Sequence, residues 1–465
     1  MDQKNEFKDF FLLCNSVKSY FDKEWREAAE PEKEKILEHE KQAIMGYPQA
    51  VDFYKDRISG IIERINVSPK IIQPPWYNDL KDGIFAELYG LSGLDPWAYD
   101  KTEAYRESSS AKLIGDRLYC LIDGKSELQP QRIDAGRREQ LKRALLMATP
   151  RERIEKGFHE VYLNNGIRIT IYSGNRTKEG EDIMIFRKYI LRELTFEKMA
   201  SLGTIPAEAV ELFKVMVKLG FNTLFTGPVR SGKTTFMQTW QRYEDPDLEG
   251  LAIATDPETP WQVLMPQAPI MQLVADGADL ESIFKSLLRG DNDYVILEEM
   301  RDAAAYKLAM DITSSGTIRS KATIHAGDPQ DIPFKMASGI ASAYGGSLEG
   351  IISQFFRNFN YVFEFCQLPE DKSKKRLRSI HEYRYDVVND RTSIHCICKY
   401  DEEKGKWLWK CDIGEDKRKM GKIWPEEFKK MENMLALLEK HNPLMENTVV
   451  YPRYYKGDKV RVNDR

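Results

Sequence analysis

A glycine-rich segment near the middle of the chain has the composition and spacing of a phosphate-binding loop. Residues 227–234 read GPVRSGKT and satisfy G-x-x-x-x-G-K-[ST], directly after an apolar run and directly before a segment of helical character. Gly227 and Gly232 allow the backbone N–H groups to turn toward phosphate oxygens, and the N-terminus of the following helix adds positive charge. Lys233 is expected to reach the β- and γ-phosphates, and the Thr234 hydroxyl to bind Mg²⁺. The residues expected to bind the nucleotide here are Gly227, Pro228, Val229, Arg230, Ser231, Gly232, Lys233, Thr234 and Thr235.

Three apolar runs after this loop end in residues that can perform acid–base or metal chemistry. They are LAIAT (251–255) before Asp256-Pro257-Glu258, YVIL (294–297) before Glu298-Glu299, and KATI (321–324) before His325. Strands of a parallel sheet end on the same edge, so all three runs should face the phosphates. Acidic residues there can hold Mg²⁺, directly or through water, and orient a water in line with the γ-phosphate.

Each of these residues also fits a structural role when it is considered alone. Asp256-Pro257 is compatible with a turn, and the two glutamates with a solvated strand end. His325 is compatible with a hydrogen-bonded core residue, the commoner role of a lone strand-end histidine. Their joint occurrence after a phosphate loop favours the functional interpretation.

The elements that position these residues follow a strand–helix alternation. From residue 204, short apolar runs alternate with helical segments, beginning with a helix that Thr204 and Pro206 open and Gly220 closes. Nearly continuous apolar strands separated by helices are typical of a parallel sheet that is covered on both faces. Residues 360–412 return to hairpin character, and a final amphipathic helix begins at Pro425.

Two further segments precede this α/β region. Residues 1 to about 67 are helical and charged, and the proline-rich stretch VSPKIIQPPW (67–76) follows as a linker. The next segment has hairpin patterns at Asp123-Gly124 and Asn165-Gly166 around a helix at 137–148. We therefore expect three parts: a helical N-terminal extension and linker at 1–75, a smaller α+β domain at 76–195, and a nucleotide-binding α/β domain at 204–465.

The composition limits the class of protein. Of 465 residues, 42% are hydrophobic and 31% charged, which is enough apolar material for sizeable cores. Because 69 Lys and Arg face 73 Asp and Glu, for a net charge of −4, we expect no stable nucleic-acid binding, although a local basic groove remains compatible. No signal peptide, no apolar run of about 18 residues and no disulfide framework is recognisable. We expect a soluble, cytoplasmic protein.

The order of these motifs resembles that of the secretion-motor ATPase superfamily, which drives type II and type IV secretion, conjugation and type IV pili. GPVRSGKTT resembles the family's Walker A motif, IATDPETP (253–260) its Asp box, DYVILEEMRD (293–302) its Walker B segment, and KATIHAGDP (321–329) its His box. Upstream, ELYGLSGLDPW (87–97) and MIFRKY (184–189) are similar to motifs of its N-terminal domain. The resemblance covers about residues 85–400 and is closest to the conjugation and tight-adherence-pilus branches.

The resemblance implies a RecA-like P-loop NTPase domain that hydrolyses ATP with Mg²⁺ in a homo-oligomeric ring, a hexamer in this family. The residues that match the family's catalytic positions are Glu299, His325, Arg301 and, for the Asp-box acid, either Glu258 or Asp256. Thr234 and Glu299 match its metal-site residues. Arg187 and Lys188 match a basic pair that approaches the nucleotide from the N-terminal domain. Thr255 replaces a common acidic residue, and Glu298 replaces the usual Walker B glycine.

The resemblance further implies inner-membrane secretion or pilus platform proteins as partners, and a position at the cytoplasmic face of the membrane. The function is then ATP-driven translocation or assembly, with conjugation, effector secretion and pilus assembly all open. The alternatives are a nucleic-acid-dependent RecA-like helicase or translocase, and a nucleotide-binding subunit with weak hydrolysis. A P-loop kinase would need an arginine-rich lid, which the sequence after residue 325 lacks.

Overall fold

The computed structural model describes residues 6–65, 68, 71–149, 157–178, 180–190, 194–255, 259–275, 277–446 and 449–450. The chain forms two compact units, Met1–Leu191 and Arg192–Arg465. The first unit contains the expected extension and the expected α+β domain up to Leu191, and the boundaries at residues 75 and 195 stay predictions. In the described part of the chain, no helix has the length and hydrophobicity needed to span a bilayer.

Helices form the first part of the N-terminal unit. They are α1 (Lys8–Glu27), α2 (Glu30–Ile44), α3 (Pro48–Arg64), α4 (Leu80–Leu88), α5 (Asp95–Ala98) and α6 (Glu103–Arg106). The apolar residues at helical spacing in the sequence form their core, since Phe10 of α1, Ile58 of α3 and Ile84 of α4 are all fully buried.

A six-stranded sheet completes the N-terminal unit. Its elements are β1 (Ser110–Ile114), β2 (Arg117–Ile122), β3 (Lys125–Arg132), α7 (Ala135–Met147), β4 (Phe158–Tyr162), β5 (Arg168–Tyr172) and β6 (Ile183–Arg187). The strand order is β3-β2-β1-β6-β5-β4, and all neighbours are antiparallel. The hairpin turns lie where the sequence predicts them, with Asp123 and Gly124 at φ of 46° and 78°.

The C-terminal unit alternates helices and strands up to residue 358. Its elements are α8 (Phe196–Ser201), α9 (Val210–Leu219), β7 (Thr223–Thr226), α10 (Lys233–Gln241), β8 (Gly250–Ala254), α11 (Trp261–Leu264), β9 (Ile270–Val274), α12 (Gly277–Leu287), β10 (Tyr294–Met300), α13 (Ala303–Ser314), β11 (Lys321–Ile324), α14 (Ile332–Tyr344) and α15 (Leu348–Asn358). Gly220 follows α9 with a left-handed φ of 73° and ends the helix as the sequence predicts.

The remaining elements are β12 (Tyr361–Gln367), β13 (Lys375–Asp386), β14 (Arg391–Asp401), β15 (Lys406–Trp409), α16 (Glu415–Met420), α17 (Pro425–His441) and β16 (Val449–Val450). The predicted hairpins of residues 360–412 do not form a separate layer. β12 pairs parallel with β7, and β13, β14 and β15 continue the same sheet in antiparallel fashion.

One ten-stranded sheet therefore organises the C-terminal unit, in the order β15-β14-β13-β12-β7-β11-β10-β8-β9 with β16 beside β14. Alternate residues of its strands enter two hydrophobic cores. Phe225 and Phe363 lie in the core with α9, α10 and α17, whereas Leu224 and Val362 lie in the core with α13, α14 and α15. Both faces are covered, so the predicted α/β class is confirmed.

Candidate active site

The phosphate loop connects β7, an interior strand of the ten-stranded sheet, to α10. Gly227, Arg230 and Gly232 have φ values of 141°, 64° and 92°, so the loop turns sharply at three points. A Cβ atom on Gly227 would approach the Phe365 carbonyl oxygen to 2.1 Å, which no side chain can do without moving backbone. Helix α10 begins at Lys233, and its first N–H groups therefore open into the loop. The loop has the backbone geometry of an anion site.

The exposure of the side chains changes along this loop. Residues 228–230 are exposed, whereas Ser231 and Lys233 are buried at 0% and 6% exposure. The Lys233 ammonium lies 3.5 Å from the Pro228 carbonyl oxygen and 3.3 Å from Nε2 of His325. Thr234 and Thr235 are half-buried in the first turn of α10. The buried end of the loop therefore carries the Lys233 ammonium, and residues 228–230 are open to a ligand.

Glu299 lies near the end of β10, on the same edge of the sheet as the phosphate loop. Its Oε2 accepts a hydrogen bond from Nη2 of Arg301 at 2.6 Å, and its Oε1 lies 3.0 Å from Nε2 of His325. Burial raises the pKa of the Glu299 carboxyl, but Arg301 and the charges of His325 and Lys233 lower it below 4.5 overall. Glu299 is thus a carboxylate at pH 7.

His325 follows β11 and connects the phosphate loop to Glu299. Its Nδ1 lies 3.2 Å from the Gly227 carbonyl oxygen, which can only accept, so we assign the proton to Nδ1. Burial and the Lys233 charge lower the pKa of the imidazole below 6.5, against the opposing effect of Glu299. The neutral ring then presents its Nε2 lone pair to the Lys233 ammonium. The structure thus brings Lys233, Glu299, Arg301 and His325 into one chain of contacts.

Glu298 contacts a different set of residues from its neighbour. It is 3% exposed, so a solvated strand end is the wrong description of this residue. Its carboxylate accepts hydrogen bonds from the Trp261 indole at 2.9 Å, the Gln272 amide at 3.3 Å and the Thr259 backbone N–H at 3.3 Å. The Thr259 hydroxyl in turn accepts from Gln238 of α10 at 2.9 Å. Glu298 therefore fastens the segment after β8 to the sheet and to the helix of the phosphate loop.

The remaining predicted catalytic and basic site residues are Asp256, Glu258, Arg187 and Lys188. Asp256 and Glu258 lie outside the described residues. Arg187 ends β6 of the N-terminal unit. Lys188 is 9% exposed, donates to the Trp97 carbonyl oxygen at 2.8 Å and is paired with Asp100. A nucleotide role of the Arg187-Lys188 pair stays a prediction, and for Lys188 it would require the loss of these contacts.

Lys335 is a site residue that the motifs do not reveal. It lies on α14, and its ammonium donates to the backbone carbonyl of His325. This bond fixes the histidine backbone and adds a second cation near the imidazole. Lys335 lies ten residues after His325, in a segment without a recognisable motif, so its contact depends on how α14 returns to the sheet edge.

The donors at this edge fit a nucleotide phosphate chain with Mg²⁺. The loop supplies backbone N–H groups and an ammonium, Thr234 supplies a hydroxyl oxygen, and Glu299 supplies an ionised carboxylate. Within the described residues, no group of three or more His, Cys, Asp or Glu is arranged to hold a metal ion. Mg²⁺ is usually bound by one or two protein oxygens together with phosphates and water.

Comparison with solved structures finds similar proteins of low sequence identity. The VirB11 ATPase of the Brucella suis type IV secretion system, in complex with sulphate, is 18% identical over 62% of this chain and 91% of that chain, with a TM-score of 0.33. The Legionella pneumophila ATPase DotB is 13% identical over 75% of this chain and 88% of its own, with a TM-score of 0.45. The pilus retraction motor PilT with bound ADP is 14% identical over 75% and 94%, with a TM-score of 0.46.

No curated protein sequence matches the chain significantly. The family model described as "Type II/IV secretion system protein" matches residues 176–433, which is more than half of the 465 residues. The matched segment contains the phosphate loop, β10 with Glu299, and His325 after β11. The chain therefore belongs to the type II/IV secretion system protein family, and its C-terminal unit has the RecA-like α/β fold expected from that resemblance.

Proposed function

We propose that this protein hydrolyses ATP with Mg²⁺ and couples the hydrolysis to translocation or assembly in a type IV secretion, conjugation or pilus-assembly machine. The observation that carries the proposal is the chain of contacts from Lys233 through His325 and Glu299 to Arg301, at the mouth of the phosphate loop. It supplies a cation for phosphate oxygens and an ionised base from strands that are distant in sequence. Family membership supports the same conclusion.

The phosphate loop would bind the nucleotide through its N–H groups and through Lys233, and Thr234 and Glu299 would hold Mg²⁺, directly or through water. When bound, Mg²⁺ neutralises charge on the phosphates. Glu299, ionised at pH 7, would accept a hydrogen bond from the attacking water and orient it in line with the γ-phosphate. Arg301 holds one carboxylate oxygen of Glu299, and the other, beside the unprotonated Nε2 of His325, would accept the hydrogen bond from water.

His325 would act as a positioning residue in this reaction. Its Nδ1 is fixed by the Gly227 carbonyl, so the imidazole moves with the first residue of the phosphate loop. Its Nε2 lies between the Lys233 ammonium and the Glu299 carboxylate. If nucleotide binding shifts the loop, the His325 ring would move with Gly227 and change the surroundings of the Glu299 carboxylate.

The larger assembly is part of the same proposal. We expect a homo-oligomeric ring, a hexamer, on the cytoplasmic face of the membrane, with secretion or pilus platform proteins as partners. In such a ring, Arg187 of one subunit would contact the nucleotide that is bound to a neighbouring subunit. Asp256 or Glu258 would supply an additional acid to the site. Sedimentation at micromolar concentration, with and without a non-hydrolysable ATP analogue, tests the ring, since a monomer with full turnover contradicts it.

The substitution Lys233→Ala tests nucleotide binding. A ligand at about 100 times its Kd stabilises a protein by about 2.7 kcal/mol, so the parent should show a clear rise in melting temperature with Mg-ATP. We expect Lys233→Ala to lose this rise. Lys285→Ala, which removes an exposed lysine of α12, is the matched control and should retain it. An equal rise in parent and Lys233→Ala would show that the loop assignment is wrong.

A further inference from the structure

The hairpin of β12 and β13 forms a wall of the phosphate loop. Gly227 faces the Phe365 carbonyl of β12, as described above. At the other end of the loop, a Cβ atom on Gly232 would lie 3.4 Å from Cγ and 3.5 Å from Cβ of Lys375. Lys375 is the first residue of β13 and pairs with Gln367 of β12. Both glycines of the loop therefore face the turn end of one hairpin.

Lys375 belongs to a basic run whose sequence pattern favours a solvated hairpin loop. The run consists of Lys372, Lys374, Lys375, Arg376 and Arg378. The structure distinguishes the members of this run by their contacts. These are Lys374 with Asp371 at 3.7 Å, Arg378 with Glu364 at 3.2 Å, and Arg376 over the rings of Tyr400 and Trp407 at 5.3 and 5.8 Å. Lys375 is half-buried, with its stem against Gly232. The solvated-loop description thus suits Lys374 but not Lys375.

The ammonium of Lys375 donates to the Lys372 carbonyl oxygen at 2.5 Å, an acceptor within the same hairpin loop. A phosphate oxygen is a stronger acceptor for an ammonium than a carbonyl oxygen is, because it carries the opposite charge and adds a Coulombic attraction. The lysine stem is flexible, so the ammonium can exchange the carbonyl for a phosphate while its Cβ and Cγ remain on Gly232. The helix N-terminus beside it attracts the same anion.

From these contacts we propose that Lys375 is a nucleotide-binding residue that donates to the phosphate chain from outside the phosphate loop. The proposal rests on the proposed function, since it needs a nucleotide in the loop. Backbone N–H groups of such loops hold the α- and β-phosphates. The stem of Lys375 lies beside one of the loop residues, Gly232. Lys375 therefore contacts the part of the ligand that ATP and ADP share, and Lys233 reaches the γ-phosphate end.

The substitution Lys375→Met tests this contact, because methionine keeps an apolar stem against Gly232 and removes the charge. We expect the Kd values for ADP and for a non-hydrolysable ATP analogue to rise by a similar factor of about ten. Lys374→Met is the matched control, since it removes the neighbouring charge from a side chain that is 60% exposed. Lys375→Arg should bind close to the parent level. The measurement is isothermal titration calorimetry on the full-length chain with Mg²⁺.

The salt dependence separates a phosphate contact from altered packing. At about 1 M salt, where the screening length is about 3 Å, the difference between parent and Lys375→Met should shrink. Equal affinities at low salt, equal losses in the Lys374 and Lys375 variants, or a loss that salt leaves unchanged would each overturn the proposal. Failure of the proposed function looks different, because the parent itself would then bind neither ADP nor the ATP analogue.

Discussion

The two ends of strand β11 carry polar clusters of opposite character. At its start, Lys321 lies 2.8 Å from Glu244, which also accepts from Arg319 at 2.7 Å, and the exposed side-chain fractions are 0%, 1% and 12%. Just after its end, His325 lies 3.0 Å from Glu299, with exposed fractions of 37% and 21%. Three residues of one strand thus separate a closed ion cluster from an open one.

The closed cluster connects the start of β11 to the ends of helices α9 and α10. Glu244 follows α10, and Arg319 donates to the carbonyl oxygens of Val217 and Lys218 at the end of α9, at 3.2 and 2.9 Å. Burial lowers the pKa of Lys321, although Glu244 opposes this effect. Both cations contact the single Glu244 carboxylate, and all three side chains are largely buried, so a ligand has little access to them. We conclude that this cluster holds the helix of the phosphate loop in place.

The open cluster also combines a carboxylate with basic side chains, but Arg301, Glu299 and His325 are more exposed than the closed cluster. Arg301 is 43% exposed in its side chain, and Glu299 and His325 face the mouth of the loop. Water can therefore reach the carboxylate, and an anion can approach Lys233. The two clusters therefore differ in burial, which determines whether water and an anion can reach their charges.

Glu244→Gln should have the largest effect, and the effect should be on stability. Removing one partner of a buried ion pair leaves an uncompensated charge and costs about 3–5 kcal/mol, so the free energy of unfolding should fall by that amount. Chemical denaturation of the full chain measures it. Asp247→Asn, an exposed carboxylate in the same loop, is the control and should be nearly neutral. Equal stabilities of Glu244→Gln and the control would show that the closed cluster does not stabilise the fold.

Glu299→Gln should have the next largest effect, and the effect should be on turnover. The amide keeps the shape of the side chain but loses the base, so hydrolysis should slow by at least about 100-fold, or about 2.7 kcal/mol of barrier. Nucleotide affinity and the free energy of unfolding should remain close to the parent values, because the side chain is partly exposed. A variant that hydrolyses ATP normally would remove Glu299 from the mechanism.

Glu298→Gln should have a smaller effect, mainly on stability. Three N–H groups converge on the Glu298 carboxylate, and a glutamine offers them one oxygen and an opposing amide. The free energy of unfolding should fall by about 1–3 kcal/mol, the cost of unsatisfied buried polar groups. Turnover of the folded fraction should fall much less than in Glu299→Gln, and the exposed Glu208→Gln serves as the control. If Glu298→Gln were inactive and Glu299→Gln active, the Walker B alignment would be wrong by one residue.

Much of the fold can be predicted from the sequence because its signals are local. The apolar runs, the glycine after α9 and the turn dipeptides each act within a few residues. The pairing of β12 with β7 is different, since it joins Tyr361 to Thr223 across a large part of the chain. Hairpin character alone does not say which strand a hairpin will extend.

The candidate site divides in the same way. The motifs bring Lys233, Glu299 and His325 to one edge because parallel strands end together. They do not reveal the burial of Glu298, which depends on Trp261 and Gln272 returning from a neighbouring strand and helix. The contacts of Lys335 and Lys375 likewise arise from packing between segments and leave no periodic signal.

The smallest expected effect is the response of the open cluster to pH. The pKa of His325 is below 6.5, so the ring is neutral at pH 7 and becomes protonated only as the pH falls below that value. The imidazolium would then face Lys233 and Lys335 and pair with Glu299, so one unit below its pKa turnover should fall about tenfold. The unfolded chain binds this proton more tightly, so stability should also decrease as the pH falls below 6.5. His325→Gln should lose the acid limb of the rate profile, whereas Lys321, at the closed end, should contribute no such limb. An unchanged acid limb in His325→Gln would assign the titration to another group.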